Sequence, residues 1–215
     1  MSKRILLLAA LCAVLPLHMF GGSISVFVGY ADDLRASPFF PAPWFGSPGV
    51  IGIGMASGVD SGAIRIDNTG TTGISIGDIS VTINGTAMGD IWSASLPVSL
   101  APGQSLIVDQ TVQYNFDTSD IHPIVACCTV VPPGTTPFPT VSITVDGTTT
   151  VFNDTGHVLD TGGFDFASIG NESFQWRPIG TVGGQAGTPE PSSMVLLASG
   201  LIGVGVSKRR WFRRR

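Results

Sequence analysis

Hydrophobic and polar residues alternate along this chain in short runs, and no interior stretch sustains a 3.6-residue period. Ser25 to Val28 and Ala63 to Asp67 read as strands. In GISIGDISVTINGTAM (73–88), Ile74 and Ile76 share one face, while Ile79, Val81 and Ile83 fall in another phase. Gly77-Asp78 sits at the shift, which predicts a bulge or a turn there. Asn84-Gly85 follows, a dipeptide that tolerates positive φ at both central positions of a hairpin turn. TVSITVDGTTTVF (140–152) repeats the device, with Asp146-Gly147 between Val141, Ile143, Val145 and Val151. LAPGQSLIVDQTV (100–112) supplies a Pro102-Gly103 turn and a further strand. Strands at this spacing, joined by Gly, Pro and Asn turns, predict an all-β antiparallel sandwich of immunoglobulin-like type over residues 26–180.

Three stretches break the alternation. ASPFFPAPWFGSPG (36–49) is rich in proline and aromatic rings, VPPGTTPFP (131–139) is a second proline loop, and residues 181–188 read as a Gly-rich linker that ends the domain. The two ends of the chain have a different texture. Lys3 and Arg4 precede an apolar run from Ile5 to Leu17, with small residues after it, so residues 1–25 are expected to be a signal peptide. Near the other end, Met194 to Val206 is uncharged and largely apolar.

Charge sharpens this division. Of the eleven Lys and Arg, two open the chain and six close it, leaving Arg35, Arg65 and Arg177 against all fifteen acidic groups. The interior therefore carries −12, which disfavours nucleic acid as a partner and could attract cations. Beyond Cys12 in the leader, the cysteines are the adjacent pair Cys127 and Cys128. They read as small half-buried residues, a vicinal disulfide, or a bridge to another molecule.

Candidate chemistry is sparse. Asp60-Ser61-Gly62 and Asp160-Thr161-Gly162 each follow a hydrophobic residue and resemble the catalytic turns of aspartic proteases, where two carboxylates share a proton. Asp, Ser, Thr and Gly are also what β-turns are made of, so an aspartyl-type hydrolase is the third-ranked reading. Asp32-Asp33, Asp117, Asp120, Asp154, Asp160 and Asp165 lie in turns with oxygen donors suited to structural calcium, although no EF-hand spacing is present. The histidines beyond the leader, His122 and His157, are far apart, and no phosphate loop, zinc motif or nucleophile elbow occurs. Phe39, Phe40, Trp44 and Phe45 could stack on sugars or cap the sandwich; capping is the expectation. No catalytic residue, cofactor site or dedicated metal site is expected.

The C-terminus carries the most specific signal. Pro189-Glu190-Pro191 follows the Gly-rich linker and precedes a short apolar segment, which a tail of Lys208, Arg209, Arg210, Arg213, Arg214 and Arg215 closes. Extended from residue 191 to 207, the segment reaches about 26 Å as a helix at 1.5 Å per residue. The bilayer core is about 30 Å, so it is a marginal span that the basic residues can help by snorkelling. Those cations place the end in the cytoplasm and the acidic body outside. Ser199, Gly203 and Ser207 recur every fourth position and offer a small-residue face to a second helix. The tripartite tail (residues 189–215, with the membrane helix at 192–207 and basic residues at 208–215) resembles the PEP-CTERM sorting signal of exported proteins in exopolysaccharide-producing Gram-negative bacteria. The same segment also circulates under the label "ice-binding protein C-terminal domain", which implies no ice binding. The resemblance implies recognition by an exosortase, a membrane-embedded sorting protease, acting near Pro189-Glu190-Pro191.

The resulting expectation is a non-enzymatic surface or extracellular-matrix protein, associated with biofilm or exopolysaccharide. It would be held transiently in the inner membrane with its domain in the periplasm. A carbohydrate- or calcium-binding surface module is the alternative.

Overall fold

The computed structural model describes residues 23–114, 137–160 and 173–183. All of them precede the division of the chain into two units between Gly183 and Gly184. The described residues form ten strands: β1 (Ile24–Asp32), β2 (Val50–Ile53), β3 (Asp60–Asn68), β4 (Ile74–Ile83), β5 (Thr86–Ala87), β6 (Val98–Leu100), β7 (Ser105–Val108), β8 (Thr140–Val145), β9 (Thr148–Asn153) and β10 (Phe174–Val182). A 3-10 turn at Ser93–Ser95 interrupts them, and among the described residues no helix is long and apolar enough to cross a membrane. The expected 192–207 helix, the apolar leader through residue 22, and the 189–215 sorting segment lie outside the described residues.

The strands form two five-stranded sheets. The first runs β10-β1-β3-β7-β2; the second runs β5-β4-β8-β9, with β6 also on β4. Alternation explains their contact. Ile24, Val26, Val28 and Tyr30 of β1 are buried, and across the pair Val26 faces Ile66 while Val28 faces Ile64. The second sheet answers with Ile74, Ile76, Ile79, Val81 and Ile83 of β4 and Val141 and Ile143 of β8. Burying each such side chain contributes about 1.5–3 kcal/mol, which makes this interface the main source of stability.

The phase change within β4 is resolved by a register shift between Ile76 and Asp78. One extra residue turns the strand over, so apolar positions on both sides of it reach the same core. The Asn84-Gly85 and Asp146-Gly147 turns have φ values of 47 and 76, and 47 and 80. Both are hairpin corners whose backbone only such residues adopt cheaply.

Two features depart from the expectation of a purely antiparallel sheet beginning at residue 26. β1 starts at Ile24, which is buried and paired to both Asn68 and Val182. β2 joins β7 in parallel, with Val50 opposite Ser105 and Ile53 opposite Val108. Parallel partners cannot be joined by a hairpin, and here the whole of β3 to β6 lies between them in the chain. The strand is short and sits at the sheet edge, where local alternation carries no information about direction.

Candidate functional site

Two places in the domain gather side chains with chemical potential: the outer face of the first sheet, and the acidic end where β1, β3 and β7 meet their loops.

On the outer face, the 36–49 segment is tied down by β10. Gln175 Nε2 donates to the carbonyls of Phe40 (2.9 Å) and Pro38 (3.3 Å), and Trp176 Nε1 donates to that of Pro43 (3.0 Å). Trp44 then stacks between Phe45 (centroids 5.2 Å, planes 16° apart) and Trp176 (5.9 Å, 22°). Phe40 meets Trp44 edge-on at 5.0 Å. The Phe45 ring lies directly on Gly52 of β2, where a Cβ would come within 2.8 Å of it. The Arg65 guanidinium continues the pile, 4.2 Å from the Phe27 centroid and 5.4 Å from that of Trp176, while pairing with Asp67 at 3.0 Å. The faces of Trp44 and Phe45 are thus spent on neighbouring rings, as the capping expectation requires. An open aromatic row for sugar stacking gets no support from these two rings; Phe39, 61 % exposed, points outward instead.

At the acidic end, carboxylates hold backbone. Asp33 accepts the N–H groups of Gly58 (2.8 Å) and Val59 (2.7 Å). Buried Asp32 pairs with Arg35 at 2.7 Å and accepts the Leu34 N–H. Ser173 binds both the N–H and the carbonyl of Asp32, tying β10 to β1. Asp60 opens β3 opposite Asp32 and receives the Tyr30 hydroxyl at a long 3.5 Å. The carboxylate that faces Asp60 across the sheet is therefore Asp32. Asp160 closes the turn after β9, its N–H donating to the His157 carbonyl.

Asp109, just beyond β7, stands out among these groups. It is fully buried; Oδ1 accepts the Met55 N–H at 2.9 Å, and Oδ2 has no partner. Desolvation pushes its pKa up to about 8, with the like charge of Asp33 adding and the Met55 hydrogen bond opposing. Trp92 Nε1 donates to the Asp109 carbonyl at 2.6 Å from the core side. Asp154 is similar but better satisfied. It accepts N–H groups of Gly156 and Leu159, yet burial still raises its carboxyl above the ordinary range. Nothing in the residue pattern distinguished Asp109: a single Asp after a strand resembles any turn residue, and its burial follows from the parallel β2–β7 pair.

Among the described residues, no three His, Cys, Asp or Glu side chains are grouped to hold a metal ion. Asp32 and Asp154 bond backbone N–H groups of their own turns, and Asp33 those of Gly58 and Val59 in the turn before β3. Asp117, Asp120, Asp165, His122, Cys127 and Cys128 lie outside the described residues. So do Pro189, Glu190 and Pro191, the small-residue face of Ser199, Gly203 and Ser207, and the basic tail from Lys208 to Arg215.

No curated protein and no solved structure matches the chain. The family model of the PEP-CTERM protein-sorting motif matches residues 188–210, covering the Pro-Glu-Pro, the apolar segment and the first cations. What the match shows is that the chain carries a PEP-CTERM protein-sorting motif at residues 188–210.

Proposed function

We propose that this protein is a non-enzymatic component of the cell surface or extracellular matrix, in which the β domain is the delivered part and residues 189–215 the address. The observation that carries the reading is the sorting motif at 188–210, which makes the chain an exported substrate of the exosortase system. The apolar leader ahead of β1 directs translocation, and the 192–207 segment holds the chain in the inner membrane while Lys208 and the arginines remain cytoplasmic. The domain then faces the periplasm until the sorting enzyme acts near Pro189-Glu190-Pro191 and releases it toward the envelope, where exopolysaccharide is the expected surrounding. Two observations support a structural rather than catalytic domain. The carboxylates of Asp33 and Asp154 hold turns and strand ends, and the aromatic loop spends its rings on packing.

The test is replacement of Pro189-Glu190-Pro191 by three alanines in a host that carries an exosortase. The expected result is a full-length form retained in the membrane fraction, while the parent chain is processed and released. Normal processing of the alanine variant would refute the assignment of these residues as the address.

A further inference from the structure

We propose that Asp109 is a protonated latch: as a neutral acid it keeps β2 and the 54–58 turn seated on β7, and its ionisation loosens this edge of the sheet. The inference stands on how much of the local structure converges on one carboxyl group. The Asp109 N–H donates to the Ile53 carbonyl at 3.2 Å, and Oδ1 takes the Met55 N–H at 2.9 Å, so the parallel pair ends on this residue from both sides. Gly54, at φ 129, lays its backbone against the carboxyl so closely that a Cβ would overlap Oδ1. Oδ2 is buried and reaches no donor.

The groups around Asp109 give an anion no relief. Asp33, from the loop after β1, is the charged residue that acts on it, and that charge is of the same sign. The Asp33 oxygens are already occupied by Gly58 and Val59 of the same turn. β2 and the 54–58 turn present backbone and Met55, and the core side presents the neutral Trp92 indole. β3 brings Asp60, whose N–H donates to the Gln110 side chain at 3.2 Å. Gln110 Nε2 in turn holds the Gly58 carbonyl at 3.1 Å. A negative charge on Asp109 would therefore sit dry, beside a like charge, with one oxygen unbonded. Lifting the turn and β2 exposes it to water. β2 is the piece free to lift, being four residues long and, among the described residues, paired to β7 alone in its sheet.

Burial holds the carboxyl protonated up to about pH 8 in the closed state. In the open state it ionises in the ordinary Asp range, so the opening constant rises about tenfold per pH unit between that range and pH 8, then levels. Hydrogen exchange of the full-length chain reads this directly. Intrinsic exchange is base-catalysed, so a group that opens independently of pH gives a slope of about one in log rate against pH, and the latch adds about one more. Peptides spanning residues 50–58 are expected to show a slope of about two below pH 8 and about one above it, while β8 peptides stay near one. Asp109→Asn removes the titration and is expected to give about one throughout. A slope of one in the parent chain, or a slope of two that survives Asp109→Asn, overturns the proposal. Should Asp109→Asn not fold, Asp33→Asn serves: removing the like charge moves the break to lower pH, and an unmoved break also overturns it.

Discussion

Gly54→Ala puts a methyl group where the Asp109 carboxyl already lies. The new Cβ would overlap Oδ1 and approach the Gln110 carbonyl at 2.6 Å and Asp109 Cγ at 2.9 Å. Backbone at φ 129 is glycine territory, and holding alanine there costs about 1–3 kcal/mol. Moving the carboxyl aside breaks its bond to the Met55 N–H, which keeps the Gln110 carbonyl at 3.1 Å, and leaves Asp109 Oδ1 buried without a donor, a further cost of about 1–3 kcal/mol. The sum, about 2–6 kcal/mol, is a large part of the 5–15 kcal/mol that typically holds a domain together. Urea denaturation of the parent and variant measures it. Gly103→Ala is the control, because Gly103 has φ 76 with nothing within 4 Å of a Cβ. It is expected to lose only the left-handed backbone cost of about 1–2 kcal/mol. Combining Gly54→Ala with Asp109→Ala separates the clash from the backbone: the two losses are expected to fall short of additivity by at least about 1 kcal/mol. A Gly54→Ala chain no less stable than Gly103→Ala, or strict additivity with Asp109→Ala, would refute the packing described here.

Stability of the whole domain is expected to fall as pH rises. Asp109 and Asp154 both have carboxyls raised by burial, so the native state holds protons that the unfolded state has released. For Asp109 the contribution is complete below the ordinary Asp value of 3.8 and is lost progressively up to about 8. The slope is at most about 1.4 kcal/mol per pH unit for each such group, and urea midpoints across that range check it. Trp92→Phe keeps the buried ring but removes the 2.6 Å bond to the Asp109 carbonyl. It is expected to cost about 1–3 kcal/mol with an unchanged denaturant slope; a loss within error of zero would mean that bond contributes nothing.

The sequence by itself determined the class of fold and the address. Alternation with glycine turns is a local property, so β1, β3, β4, β8, both hairpin corners and the phase change in β4 were legible before any contact was known. The sorting signal was legible for the same reason, since Pro-Glu-Pro, apolar segment and cations occur in order within one continuous stretch. Only the tertiary structure decided the rest. A four-residue strand such as β2 carries no mark of the partner it will choose, and its parallel pairing depends on β7, more than fifty residues away. The aromatic segment became a cap because Gln175 and Trp176, from the far end of the domain, bind its carbonyls. Asp109 became a buried acid for the same physical reason: whether a carboxyl meets water or a second strand is set by pairing across the sheet, which alternation along one strand cannot encode.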